Sequence, residues 1–525
     1  MFVNPKLFQK IDVFNNLNNR KIFLFYFIVG VLGYASILTS NYIHNDDFPR
    51  YILNHTCAVN GRYANAILEH LMFLSSRVWD VSPFNQILSC GILAMCALIC
   101  LRIACRTGER CTIQTYLFFA TVVVNPYVVE NMLFRFDNIF MMLALLCSLL
   151  SAYISMANDS RNLPLQVIFL LGSLFLYQGA LSAYFVILLY LLIEKVSLGE
   201  QPLSWLKSVR YWIYTMFCTA ILYLPIIYNV NYVFRNQKKF EGKKLSEYGQ
   251  FVLRKISGYL ENLYVDWHCT TVGVLIFVFI LGFIVYFLMV AWKHKANSLD
   301  FVKRSVLLGI LFFFFFLSPA GITILFNHAG VTFHSWQAAR MLYSIGVLVP
   351  IVLTNASLFF EKIIFLRVIY KIFAVVFLVW NMTFANLVGN LVNQKFSLQN
   401  DISKDIANDL YYIRKNHLIS EIAIKYSLPF SNAALASVLK EYPILLGILG
   451  SQWCMPPICN VLLKYNDQWC PLTRPASCND LKNNTKLVDR MWYALYTKGN
   501  TLLIELKASP FRKDSWKFGT AVGCD

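Results

Sequence analysis

The stretch NYIHNDDFPRY, residues 41–51, sets two adjacent carboxylates, Asp46 and Asp47, beside Arg50 and directly after an apolar run. Neighbouring carboxylates separate in proton affinity. One can then take a proton from a hydroxyl near neutral pH while the other orients that hydroxyl or the rest of a substrate. The same spelling also opens helices, since Asp ahead of Pro49 is an N-cap signal, and the two uses are compatible. His44 and His55 keep a divalent cation open as an alternative; no cofactor is otherwise expected.

Further polar groups interrupt the apolar sequence at three other places. ENMLFRFDN carries Glu130, Arg135 and Asp137, the turn near Tyr177 carries Gln178, and NHAGVTFHSWQAAR carries His328, His334, Trp336 and Arg340. Arginine suits phosphate through its planar fork of donors, which makes Arg50, Arg62, Arg77, Arg135 and Arg340 a candidate cationic cradle. The plainer role for each is pairing with a nearby carboxylate, Glu69 among them, or with lipid headgroups, and RFD at 135–137 also reads as an internal ion pair. Glu130, Asp137, Gln178, His334 and Trp336 are candidates for substrate contact. Trp79, Tyr127, Trp267 and Trp336 near span ends read as interfacial belt residues, with sugar stacking a second use for Trp267 and Trp336.

The elements that must hold these residues follow from composition. Of 525 residues, 58% are hydrophobic and 14% charged, more apolar surface than a soluble domain can hide. The fold class expected is an α-helical polytopic membrane protein with about 11 spans, each a helix of about 18 or more residues. The runs are 21–40, 86–104, 113–129, 138–156, 164–178, 179–194, 209–229, 271–292, 305–326, 341–357 and 370–390. The net charge of +18 lies largely in short links, where it sets orientation and does not call for nucleic acid. With the N-terminus inside, the basic links are all cytoplasmic only if 164–194 crosses twice. Every polar cluster above then falls on the opposite rim. The loop at 230–270, with RNQKKFEGKK, is the exception, and its charge suits a local anionic ligand.

From residue 391 the character changes to a small extracytoplasmic α/β domain. DISKDIANDLYYIRKN and SNAALASVLKEY read as helices, the first with an Asp cap, and EIAIKYSL and TLLIELKA read as strands. Cys90, Cys96, Cys100, Cys105, Cys111, Cys147 and Cys218 belong to apolar spans. Cys454, Cys459, Cys470, Cys478 and Cys524 fall in the C-terminal part, where an oxidising compartment favours one or two disulfides over a zinc site.

NDDFPRY followed by NGRYANAILEHL, FRFDN, LYQGALSAYF and QAARMLYSIG resembles the bacterial serotype-converting O-antigen glucosyltransferases, polytopic enzymes of the GT-C class. The resemblance implies inverting or retaining transfer of a glucosyl group from undecaprenyl phosphate glucose to an O-antigen or lipopolysaccharide hydroxyl, on the periplasmic side of the inner membrane. Asp46 or Asp47 would be the general base, with Asp46 slightly preferred, and Arg135 and Arg340, with Arg50 and Arg62, would hold the donor phosphate. The C-terminal domain would help select the acceptor. The alternatives are a transferase of this class for another sugar or acceptor, such as lipid A or protein, and a lipid or solute transporter.

Overall fold

The computed structural model describes residues 17–42, 47, 62–74, 79–105, 112–156, 160–229, 245–267, 271–321, 341–360, 364–416, 421–425, 472–475, 485–490, 493–498 and 501–506. His44, Asp46, Arg50, His55, Arg77, His328, His334, Trp336, Arg340, Cys111, the C-terminal cysteines, RNQKKFEGKK and SNAALASVLKEY lie outside the described residues. The side chain of Trp267 does too. The chain divides into two compact units, Met1–Thr39 with Pro49–Gly389, and Ser40–Phe48 with Asn390–Asp525.

The first unit is helical. It begins with α1 (Leu17–Gly33), α2 (Ala35–Leu38), α3 (Tyr63–Phe73) and α4 (Phe84–Ala104). Next come α5 (Ile113–Ala120), α6 (Pro126–Leu133), α7 (Asn138–Ser155), α8 (Leu163–Leu176), α9 (Leu181–Ser197) and α10 (Pro202–Asn229). They are followed by α11 (Leu245–Trp267), α12 (Thr271–Lys293), α13 (Ser298–Leu317), α14 (Ile345–Phe360) and the long α15 (Ile364–Asn416). Among the described residues five helical stretches are long and apolar enough to cross a membrane: Phe84–Ala104, Asn138–Ser155, Gln178–Ser197, Leu275–Lys293 and Phe365–Ile413. Leu163–Leu176 and Ile345–Phe360 are apolar but shorter. This composition fits a membrane protein.

The expected run at 113–129 is not a single helix. Residues 113–129 break after Ala120. Asn125, extended ahead of Pro126, accepts the Tyr127 amide at 3.0 Å and starts α6 anew. An Asn-Pro pair disfavours continuing a helix and supplies the next cap, so local chemistry overrides the apolar run. All of α6 is buried, Tyr127 included, which removes Tyr127 from the interfacial belt. The stretch 164–194 divides where the two expected runs 164–178 and 179–194 meet, one helix ending at Leu176 and the next resuming after a 3-10 turn over Gln178–Ala180.

The loop expected at 230–270 contains a helix, α11. Its apolar positions Phe251, Val252, Ile256, Tyr259 and Leu263 recur at helical spacing, a signal masked by the basic residues around them. Tyr259 is buried and its hydroxyl donates to the Phe316 carbonyl of α13 at 3.0 Å.

Helix α7 sits among α4, α8 and α9, α1 lies on α4, and α12 lies on α14. Phe118, Phe279, Phe360, Tyr370 and Phe373 interlock edge to face or tilted, fastening α15 to α5, α12 and α14. Asn386 of α15 accepts the Ser36 amide at 3.2 Å and donates to the Leu32 carbonyl at 3.0 Å, satisfying backbone groups freed at the α1–α2 break. In the FFFFF run, Phe312 and Phe315 are buried while Phe313 and Phe314 are exposed. Cys90, Cys96, Cys100 and Cys105 are buried free thiols, and Cys147 and Cys218 are half-buried.

In the second unit, strands β1 (Glu421–Lys425), β2 (Leu472–Pro475), β3 (Thr485–Asp489), β4 (Tyr493–Lys498) and β5 (Thr501–Leu506) form one sheet in the order β2-β1-β5-β4-β3. β1 runs parallel to β2 and β5, and β3, β4 and β5 are antiparallel neighbours. Residues Ile402, Ile406, Leu410 and Ile413, one helical stripe of α15, meet Tyr493, Leu495, Leu502 and Ile504, the alternating inward positions of β4 and β5. The strands in EIAIKYSL and TLLIELKA are β1 and β5, whereas β2, β3 and β4 were not expected. DISKDIANDLYYIRKN is helical, but it continues α15 without a break, so Asp401 lies inside the helix and not at its cap.

Candidate active site

Asp137 stands at the N-cap position of α7, where an aspartate ordinarily accepts a backbone amide, yet its side chain makes no capping bond. It turns instead to Asn65, whose amide donates to Oδ1 at 3.2 Å, and to Arg62, whose Nη1 lies 3.6 Å from Oδ2. Arg62 and Asn65 stand where α3 begins. Asp137 is 4% and Arg62 16% exposed at the side chain, so the carboxylate is buried and the guanidinium largely so.

The other face of that guanidinium rests 4.9 Å above the Tyr177 ring, a cation–π contact. Tyr177 is there because the chain turns extended at this residue, ending α8. Gly179 makes the turn feasible at close quarters, since a Cβ on it would meet the Tyr177 ring at 2.8 Å. Gln178 donates from Nε2 to the Tyr223 hydroxyl of α10 at 3.2 Å. Phe175 fills the space between Tyr63 and Tyr223, with ring centroids 6.3 and 5.2 Å away. Tyr343 closes the far side of Tyr177 at 6.0 Å, and Ser182 donates to Ser344 at 2.8 Å, which ties this turn to the segment entering α14.

Arg135 is differently engaged. Its Nε and Nη2 grip Asp80 as a fork, at 3.1 Å to Oδ1 and 2.9 Å to Oδ2. Asn85 of α4 donates to the Arg135 carbonyl at 3.0 Å. The RFD tripeptide therefore makes two ion pairs with distant partners, Arg135 with Asp80 and Asp137 with Arg62, and this holds the short 134–137 link against the starts of α3 and α4. Glu130 and Glu69 are buried carboxylates of the same unit. Asp47 is buried in the second unit.

Of the residues singled out in the sequence, the structure brings together Arg62, Asp137 and Gln178, with Arg135 two residues from Asp137. It adds Asn65, Asp80, Tyr177, Tyr223 and Tyr343, which sequence reasoning did not name as site residues. Asp80 carried a usable signal: it is a lone acid just before the 86–104 run, on the same expected rim as Arg135. The aromatics carried none, because tyrosines at span ends are common and only the neighbouring helices decide which of them converge. Among the described residues no group of three or more His, Cys, Asp or Glu is placed to hold a metal ion.

Together these residues offer a guanidinium, a buried carboxylate, two carboxamides and a wall of rings. Such a set can hold an anion by the arginine, hydroxyls by the polar groups and the apolar face of a ring by the aromatics.

A family model described as "Glucosyl transferase GtrII" matches residues 35–351, a range that holds Arg62, Asn65, Asp80, Arg135, Asp137, Tyr177, Gln178, Tyr223 and Tyr343. A relative from Salmonella phage P22, an uncharacterized 55.3 kDa protein in the gtrB 5' region, is 27% identical over 181 residues. That match covers 34% of this chain and 37% of the relative. No solved structure gives a significant match.

Proposed function

Because the chain belongs to the glucosyl transferase GtrII family, we propose that it transfers a glucosyl group from undecaprenyl phosphate glucose to a hydroxyl of an O-antigen sugar. The transfer takes place at the periplasmic face of the bacterial inner membrane. The observation that carries this reading is the Arg62–Asp137–Asn65 cluster laid over Tyr177, inside the range matched by the family model.

In the reaction, the acceptor oxygen bonds to the anomeric carbon as the bond from that carbon to the phosphate oxygen breaks. The acceptor proton passes to Asp46 or Asp47, and the leaving lipid phosphate keeps the bonding electrons and gains a negative charge. That developing charge is what a cation stabilises more in the transition state than in the ground state. Arg62 supplies it, with Arg50 and Arg340 as further cations. Arg135, committed to Asp80, shapes the link instead of binding phosphate. Asp137 and Gln178 orient sugar hydroxyls, and Glu130, His334 and Trp336 remain substrate-contact assignments. The C-terminal unit faces the periplasm, carries disulfides and helps select the acceptor.

The test is reconstitution. Purified protein in detergent, given undecaprenyl phosphate glucose and O-antigen acceptor, is expected to release undecaprenyl phosphate and yield glucosylated glycan by mass spectrometry. Donor turnover that needs two membrane-separated compartments would indicate a transporter.

A further inference from the structure

Helix α3 is built inside out. Asn65 and Glu69 are buried and Arg62 largely so, a polar stripe at helical spacing turned toward the protein, where Arg62 and Asn65 meet Asp137. Ile67, Leu71 and Leu74 recur at the same spacing on the opposite face and are 59%, 63% and 90% exposed, with Met72 exposed beside them. A helix that faces water shows the reverse order, apolar inward and polar outward. Leu74 adds a second sign. It is the C-cap of α3 with φ at 48°, a left-handed conformation that suits glycine or asparagine and strains a leucine. In water this residue would be both strained and exposed. Exposed apolar side chains continue in the chain that follows, with Trp79 and then Phe84 and Leu88 at the start of the spanning helix α4.

Size and length decide what covers this face. The stripe holds four side chains, whereas a stable protein partner needs roughly 20–30 residues and about 800 Å² on each side. The 11 residues of α3 reach about 16 Å, half the hydrocarbon thickness of about 30 Å. Standing upright in the bilayer, α3 would leave the open backbone groups of one end in hydrocarbon; lying flat, it keeps both ends at the polar surface. We propose that α3 lies along the membrane surface with Ile67, Leu71, Met72 and Leu74 among the lipid acyl chains, and that this seating sets the Arg62 end of the helix at the depth of the lipid phosphates. A helix is about 10 Å across, and an interfacial helix sinks its apolar face about 5–10 Å into the boundary between headgroups and chains. The opposite face, with Arg62 and Asn65 on Asp137, then stands level with the headgroups, where the phosphate of a membrane-held donor lies. Such a donor reaches the arginine from within the leaflet, its chain staying in lipid. The part concerning the donor rests on the function proposed above; the seating of α3 does not.

Two measurements on the full-length protein keep these apart. The first uses vesicles of phosphatidylethanolamine and phosphatidylglycerol that contain a phospholipid with a diazirine on its acyl chain. Illumination and peptide mass spectrometry are expected to place label on Ile67, Leu71 or Leu74, as on Phe277 and Leu281 of α12, which are also exposed. Label on α12 with none on α3 would overturn the seating. The second is steady-state transfer by the double variant Ile67→Ser, Leu71→Ser, which leaves the Arg62 contacts in place. With undecaprenyl phosphate glucose in vesicles, donor KM is expected to rise about tenfold with kcat nearly unchanged. With a water-soluble, short-chain polyprenyl phosphate glucose, both constants should match those of the unmodified protein, and Ile67→Leu, Leu71→Met should match it with either donor. An unchanged KM for the long-chain donor, or an equal loss with both donors, would overturn the depth-setting role. Absence of transfer by the unmodified protein would count against the proposed function alone, since the labelling needs no substrate.

Discussion

Arg62 is the residue on which the candidate site turns, because it touches both the buried Asp137 carboxylate and the Tyr177 ring. Lysine cannot reproduce the planar stacking on that ring. Arg62→Lys is therefore expected to keep the fold and lose at least about tenfold in glucosyl transfer, roughly 1.4 kcal/mol of transition-state stabilisation. Arg62→Ala removes the ion pair of the buried Asp137 carboxylate, which should cost about 3 kcal/mol of stability in thermal unfolding. Asp80→Asn provides the contrast. It breaks the Arg135 fork, so a loss of about 2 kcal/mol is expected with donor KM little changed. A large rise in donor KM would instead make Arg135 a phosphate ligand.

At the scale of elements, the turn between α8 and α9 decides what the site looks like. Tyr177 can lie under Arg62 only because Gly179 leaves room for its ring, and that ring is itself held by Tyr343. Gly179→Ala is expected to push the ring aside and reduce transfer several-fold, with a stability loss of about 1–3 kcal/mol from overpacking. Transfer in membranes and Tm in detergent read the two effects separately. The break at Asn125 and Pro126 works similarly for α6. A Cβ at Gly346 would collide with the Asn125 amide, so the entry to α14 also depends on this cap.

For the molecule as a whole, the second unit is held by an apolar seam between α15 and the sheet and by polar ties at its edge. Arg490 grips Asp409 as a fork at 3.0 and 3.1 Å, and the Tyr493 hydroxyl donates to the same carboxylate at 2.6 Å. Burial, and then the bond to Asp409, raises Tyr493 above the ordinary phenol range. Burial, and then the bond to Glu505, pushes Tyr496 up to about 12. Both phenols ionise less readily folded than unfolded. Their contribution is therefore complete below about pH 10 and is lost as pH rises through the folded values. Replacing both by phenylalanine should flatten the fall in full-length stability between about pH 10 and the folded value of about 12. A fall as steep as in the unmodified protein would show that these tyrosines are not responsible.

The apolar runs, the class of molecule and the family resemblance were legible in the chain, because apolar length and local punctuation are properties of neighbours in sequence. The helix hidden at 245–267 and the break at Asn125 were missed although their signals were local, one obscured by charge and the other by a run of apolar residues. The pairings belong to a different category. Arg62 with Asp137, Arg135 with Asp80, and Lys395 against Tyr42 join residues tens to hundreds of positions apart. No periodicity encodes such partners. Sequence alone determined that arginines and acids would gather between apolar runs. Only the packing of the helices decided that Arg62 meets Asp137 and Tyr177 while Arg135 meets Asp80, since a charge buried by its neighbours must pair with whatever acid those neighbours bring.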